Sequence, residues 1–178
     1  KEWQKPENKN KVRQIDKDAR ITIKNKKMLY GYKLHSKVDA DSKCIAKMKV
    51  TPANEADNMH FVELLDENTD KVVYADKGYV GKKIPERIKN QVHERADRDH
   101  PLSEEAEARN RQRTPIRARV EHVFGSMKGS MKCGIIRCVG FLRAQFQLFM
   151  LGLVYNMKRY CFEVGRLRKH RIVGGTLS

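Results

Sequence analysis

Two stretches of alternating apolar and polar residues, separated by a short polar turn, constrain this chain most. Leu29-Tyr30-Gly31-Tyr32-Lys33-Leu34-His35-Ser36-Lys37-Val38 alternates, as does Cys44-Ile45-Ala46-Lys47-Met48-Lys49-Val50. A period of two puts one side of each stretch on a core and the other in water, which is strand character. Asp39-Ala40-Asp41-Ser42-Lys43 between them is turn composition, so an antiparallel hairpin is predicted. Thr51-Pro52-Ala53-Asn54 ends it. Residues 57–65 fit a short helix with Asn54 or Asp57 near its N-cap. Lys71-Val72-Val73-Tyr74-Ala75 reads as a short buried strand, and residues 91–95 as a last one. A short helix is expected over residues 81–90, around Pro85.

Two longer helices follow. Ser103 is placed to cap the first, with Glu104 and Glu105 in its first turn, where carboxylates suit the helix dipole. Pro115 predicts a break or kink near Thr114. At about 100° per residue, Arg117, Glu121 and Lys128 share one face of this helix. Ile116, Val120, Val123, Phe124 and Met127 form a separate apolar stripe. One face packs, and the other presents a carboxylate bracketed by two cations. The plainer alternative is a surface ion pair between Arg117 and Glu121 at i,i+4 spacing. The second helix, residues 141–157, is the most apolar stretch of the chain. Arg143, Gln145, Gln147 and Asn156 interrupt it, so it reads as a core helix with Phe146, Phe149, Met150, Leu153 and Met157 on one side. Helices on a mixed sheet make an α/β fold, one domain in 178 residues.

Charge narrows the partner. The chain carries 38 Lys+Arg against 22 Asp+Glu, a net +16. Residues 1–50 hold +9, residues 51–100 hold −3 and residues 101–178 hold +10. Two basic flanks around a mildly acidic middle favour a nucleic acid over an anionic membrane. Cys44, Cys133, Cys138 and Cys161 have no zinc spacing and are expected as reduced thiols in a cytoplasmic protein. Asp76 sits where the buried strand runs into a glycine-containing loop, the place where open α/β sheets bind ligands. Asp beside Gly78 is equally a turn former. Paired with Glu121 it offers the oxygen donors that Mg²⁺ prefers.

Gly31-Tyr32-Lys33-Leu34-His35, Val38-Asp39, Val50-Thr51-Pro52-Ala53-Asn54, Tyr74-Ala75-Asp76-Lys77-Gly78-Tyr79 and Arg117-Ala118-Arg119-Val120-Glu121-His122-Val123-Phe124 closely resemble the DDE transposases of bacterial insertion sequences. The resemblance runs from about Val12 to Tyr160. It implies a ribonuclease-H-like mixed sheet with flanking helices. It also implies three acids binding two Mg²⁺ or Mn²⁺, cleavage at transposon ends, and joining of a 3′-hydroxyl to target DNA. Asp76 matches the second acid and Glu121 the third, both catalytic and metal-binding. The family's Tyr-x2-Arg-x3-Glu-x6-Lys signature falls on Arg117, Glu121 and Lys128, with Thr114 where the Tyr stands. Arg117, Arg119 and Lys128 are the implied DNA contacts. Double-stranded DNA and a second copy of the chain, as a homodimer in the active complex, are the implied partners.

No acid before Met28 matches the first of the three. Asp16 and Asp18 lie in a polar stretch with no strand pattern, and Asp39 and Asp41 lie in the hairpin turn. The expectation is therefore an N-terminally incomplete catalytic domain, lacking its first strand, at residues 28–162. An irregular basic arm (residues 1–27) would precede it and a basic tail (residues 163–178) would follow. The alternative is a non-catalytic DNA-binding remnant of a decayed element. His122 is expected to be a satisfied structural histidine, and His35 has no role legible in the sequence.

Overall fold

The computed structural model describes residues 15–96 and 101–174, with side chains described as far as Arg168. The first residues of the expected arm and the last four of the expected tail lie outside this set. Three strands form an antiparallel sheet in the order β1 (Arg20–Lys24), β2 (Lys27–Val38), β3 (Ile45–Pro52). The predicted hairpin is β2–β3, with Leu34 opposite Val50 and a bulge between Lys37 and Val38. Its turn is set by Asp39, whose Oδ1 accepts from the Ser42 N–H at 2.7 Å and the Ser42 hydroxyl at 2.6 Å. β1 corrects the expectation of an irregular arm. Asn25 and Lys26 adopt φ of 52° and 60°, and a two-residue turn of that hand matches the twist of the strands it joins.

β4 (Val72–Val73) and β5 (Lys89–Asn90) make a separate parallel pair. Among the described residues the strands thus form two sheets, where the sequence reading has one mixed sheet. β5 lies two residues before the predicted strand, and residues 81–88 form turns where a helix was expected. The segment after Pro52 is a 3-10 turn (Asp57–Met59) followed by the single-turn helix α1 (Phe61–Leu64). Neither has a side-chain cap, so neither Asn54 nor Asp57 is the N-cap that was expected.

Helix α2 (Glu104–Lys128) starts as predicted, with the Ser103 hydroxyl accepting from the Ala106 N–H at 3.3 Å. It passes through Pro115 without the predicted break. Only one main-chain donor is lost there, and three further turns on the C-terminal side hold the helix by packing. Val123, fully buried, and Met127 join Ile45 and Tyr155 in the main core, flanked by Leu34, Val38, Met48 and Leu151. A second core of Phe61, Ala75 and Val92 sits beneath β4 and β5.

Helix α3 (Phe141–Gly174) absorbs the first part of the expected tail. Ala144, Leu148 and Tyr155 are its buried face. Gly152 lies so close to β3 that a Cβ there would run into the Met48 side chain. Phe146, Phe149, Met150, Leu153 and Met157, expected in the core, are exposed instead. The helix is apolar on both sides, and small Ala144 and Gly152 permit the closer approach, so that side packs. Its start is held from a distance: Asp16 Oδ2 accepts from the Gly140 N–H at 2.8 Å and Asp18 Oδ2 from the Phe141 N–H at 3.2 Å.

Candidate active site

Asp76 stands where the β4 chain leaves its parallel neighbour. Pairing continues past the two-residue strands, with the Gln91 N–H donating to the Val73 carbonyl at 2.9 Å and the His93 N–H to that of Ala75 at 3.0 Å. The next residue, Asp76, caps a 3-10 turn (Lys77–Tyr79) by accepting from the Lys77 N–H at 2.7 Å. Tyr79, stacked on Phe61 at 4.6 Å between ring centroids, anchors the far side of that turn. One carboxylate oxygen is thereby committed to the backbone, and the other faces α2.

Four residues at i,i+4 spacing run along α2 toward it: Arg109, Arg113, Arg117 and Glu121. Arg109 makes a two-point bond to Glu94, 2.8 Å in each arm. Arg113 donates to the Gln91 side chain at 2.8 Å and the Val92 carbonyl at 2.9 Å. Asn110 accepts from the Glu94 N–H at 2.9 Å and donates to the Glu94 carbonyl at 3.0 Å. These contacts dock α2 on the segment after β5. One turn further on, Arg117 Nη1 lies 2.9 Å from Glu121 Oε1 and 4.0 Å from Asp76 Oδ2. The two carboxylates therefore lie within about 7 Å of each other, since one guanidinium nitrogen reaches both. Both are more than half exposed, while Arg117 is mostly covered and its Nε is buried without a partner.

His93 is one of the residues beside this pair that the sequence reading missed. Its Nε2 is buried without a hydrogen-bond partner. Burial and the nearby Arg117 charge hold its pKa below the usual histidine value, against the pull of Asp76. A ring kept neutral can accept or donate one proton. A shallow open depression of about 410 Å³, lined by His93, Leu102, Glu107, Asn110, Arg111 and Thr114, adjoins the pair through His93 without enclosing it. The missed arginines carry a weak signal in their four-residue spacing; His93 carries none.

The other candidates lie elsewhere. The Arg119 guanidinium donates to the Ala40 carbonyl and lies 3.7 Å from Asp41, so it closes α2 on the hairpin turn. Lys128 is exposed in the last turn of α2. His122 is exposed on the helix surface, where a satisfied structural histidine was expected. Asp16 Oδ1 is filled by the Tyr32 hydroxyl at 2.8 Å and by the Asp18 and Ala19 N–H groups. Asp39 is filled by its own turn. Among the described residues no third Asp, Glu, His or Cys completes a metal-binding group with Asp76 and Glu121.

The family described as Transposase DDE domain matches residues 1–157, most of the chain. The chain belongs to the DDE transposases of insertion sequences. One curated relative, the transposase for insertion sequence element IS1106 of Neisseria meningitidis serogroup B, is 32% identical over 149 residues. That match covers 80% of this chain and 51% of the relative, so the chain spans about half the relative's length. No solved structure matches. Within this DDE transposase chain, no described helix is long and apolar enough to cross a membrane.

Proposed function

We propose that this chain carries part of the phosphoryl-transfer site of a DNA transposase, with Asp76 and Glu121 as two of its acidic metal ligands. The observation that supports the reading is the Arg117 guanidinium lying 2.9 Å from Glu121 and 4.0 Å from Asp76, on a helix docked to the strand end by Arg109 and Arg113. The donor set suits a hard cation: two carboxylates, half exposed, with room for water and phosphate oxygens. Mg²⁺ or Mn²⁺ bound there would polarise a DNA phosphate and activate the attacking oxygen. Arg117 holds the two carboxylates in one place and offers its charge to an incoming phosphate. Lys128, two turns beyond Glu121 along α2, would grip the DNA backbone. The ribonuclease-H-like arrangement, a homodimeric active complex on double-stranded DNA, and cleavage and joining at transposon ends belong to this proposal.

Two carboxylates hold a metal ion less firmly than three. This chain by itself is therefore expected to bind Mn²⁺ weakly and not to nick labelled transposon-end DNA. The test is Mn²⁺ binding by electron paramagnetic resonance, comparing the parent with Glu121→Gln and Asp76→Asn. Loss of binding in either variant supports the site. DNA binding that ignores Mn²⁺, with no metal bound by the parent, would favour the non-catalytic DNA-binding remnant, a reading to which the lack of a third acid among the described residues lends support.

A further inference from the structure

Alternation gives the β2–β3 hairpin two faces, and one of them carries the main core. The other presents Lys33, His35 and Lys37 from β2 opposite Thr51, Lys49 and Lys47 from β3. A polar face of an antiparallel sheet is ordinarily left to water. Here residues 55–70 lie across it. Lys33 donates to the Glu55 carbonyl at 2.7 Å and lies 3.5 Å from Asp57. Lys37 bonds Asp70 at 2.8 Å, Lys47 donates to the Glu63 carbonyl at 3.1 Å, and Lys49 pairs with the Glu63 carboxylate. Two histidines are shut inside this polar cover. The side chains of His35 and His60 are 6% and 9% exposed, with ring centroids 5.0 Å apart. His35 Nε2 is bonded to the Thr51 hydroxyl at 2.8 Å, and His60 Nε2 to the Glu55 carboxylate at 2.6 Å.

The next residue turns to the other sheet. His60 precedes α1, and Phe61 opens it. Phe61 belongs to the second core with Ala75 and Val92, and its ring stacks on Tyr79 at 4.6 Å. Tyr79 closes the 3-10 turn that Asp76 caps, and its N–H donates to the Asp76 carbonyl at 3.0 Å. Asp57 makes a second link. It lies 3.6 Å from His35 Nδ1. Burial, then the charges of Asp57 and Asp76, raise the pKa of the Tyr79 phenol, so both acids lie near that ring. Two adjacent side chains, His60 and Phe61, thus grip the hairpin with one ring and the Asp76 turn with the other.

We propose that His35 and His60 are positioning residues for Asp76: their packed rings fix α1 against the hairpin, and α1 fixes the turn that holds the Asp76 carboxylate 4.0 Å from Arg117. This role rests on Asp76 being the metal ligand proposed above. It also gives a task to Gly31-Tyr32-Lys33-Leu34-His35 and Val50-Thr51-Pro52-Ala53-Asn54, which supply the fixed half of the latch through Lys33, His35 and Thr51. Neutral rings suit the place. The face already holds Lys33, Lys37, Lys47 and Lys49, answered by Glu55, Asp57, Glu63 and Asp70, and the Tyr79 phenol stands beyond them. A proton on His35 would add a cation to that lysine row in a place closed to water, with Asp57 3.6 Å away to offset it. Burial holds the His35 pKa below the usual histidine value, with Asp57 and Glu55 pulling up and His60 and Lys33 pushing down. The latch is therefore fully closed above about pH 6.5 and loosens as the pH falls toward the depressed value.

The test is amide hydrogen exchange of the metal-free chain by NMR, comparing the Tyr79 N–H with that of Val123 in the main core, and Mn²⁺ affinity of the same samples. His60→Ala should cut Tyr79 protection by at least about tenfold while Val123 keeps its own. Mn²⁺ binding should weaken about tenfold in the same variant. His60→Gln, which keeps a donor toward Glu55, should recover part of both losses. In the parent, Tyr79 protection relative to Val123 should decline between about pH 7.5 and 5.5. His35→Gln keeps a bond to Thr51 without a titrating ring, and should remove that decline. Unchanged Tyr79 protection in His60→Ala overturns the inference. So does a joint loss at Tyr79 and Val123, which is what a merely structural pair would give. Should the variants fail to fold, the parent's pH series decides alone, and Tyr79 keeping step with Val123 throughout overturns the latch. A selective loss at Tyr79 with Mn²⁺ affinity unchanged overturns the positioning of Asp76. If the parent binds no Mn²⁺ while Tyr79 responds as expected, the latch stands and the reading of Asp76 as a ligand falls.

Discussion

Arg117 pairs with Glu121 and lies 4.0 Å from Asp76, but both acids are more than half exposed, so the cluster contributes little to folding. Glu121→Gln should therefore change unfolding free energy by less than about 0.5 kcal/mol while lowering Mn²⁺ affinity. Urea unfolding and metal titration of the same sample separate the two effects. Val123, at 0% exposure between β2, β3 and α3, is the opposite case. Val123→Ala removes buried methyl groups with no room to collapse, and should cost about 2 kcal/mol by urea unfolding with metal binding unchanged. His35 is buried, its Nε2 2.8 Å from the Thr51 hydroxyl and its ring 5.0 Å from that of His60. Burial lowers its pKa, with Asp57 pulling the other way and His60 and Lys33 reinforcing the depression. The unfolded chain takes up this proton near pH 6.5, its usual value, and the folded chain only below it. Stability is thus full above about pH 6.5 and falls as the pH drops toward the depressed value. His93, also depressed, adds to the same window. Denaturation midpoints should fall between pH 7.5 and 5.5, and His35→Gln should flatten that slope.

At the level of elements, β2–β3 was legible because alternation and a polar turn agree over more than twenty residues. β1 was not, because its turn is Asn25-Lys26 with no glycine and its flanks are lysine-rich. The pattern of α3 showed that a helix exists without showing which side packs. Periodicity ranks apolar faces by size, whereas the choice here followed the closeness that Ala144 and Gly152 allow. The α2 start was legible from Ser103, and Ser103→Ala should cost about 1 kcal/mol in thermal unfolding, since it frees one N–H of the first turn. While the role of Asp76 and Glu121 as metal ligands stays a proposal, their closeness was legible from strand-end and helix-face placement. His93 was not, because a histidine in a short polar-apolar segment looks like any other until the register of β4 against β5 is known. Arg119, an implied DNA contact, makes a strut between α2 and the hairpin turn that its place on the helix alone does not reveal.

For the whole molecule, a net charge of +16 concentrated in the two flanks would make the proposed DNA affinity an ionic-strength effect. Binding should fall steeply with salt, and Lys128→Ala should lessen the slope of log K against log salt by about one. Filter binding over a salt series measures both. The Asn156 amide carries a different consequence. It accepts from the Ile45 N–H at 2.8 Å and donates to the Ile45 carbonyl at 2.9 Å. A side chain here does what a neighbouring strand would do, and so shuts one rung of the β3 margin to strangers. A bare sheet margin is a template for other chains, and a charged or apolar residue at 156 would uncover both groups together. The characteristic failure of Asn156→Leu is then fibre growth seeded at Ile45, in a chain whose helices still give their usual spectrum.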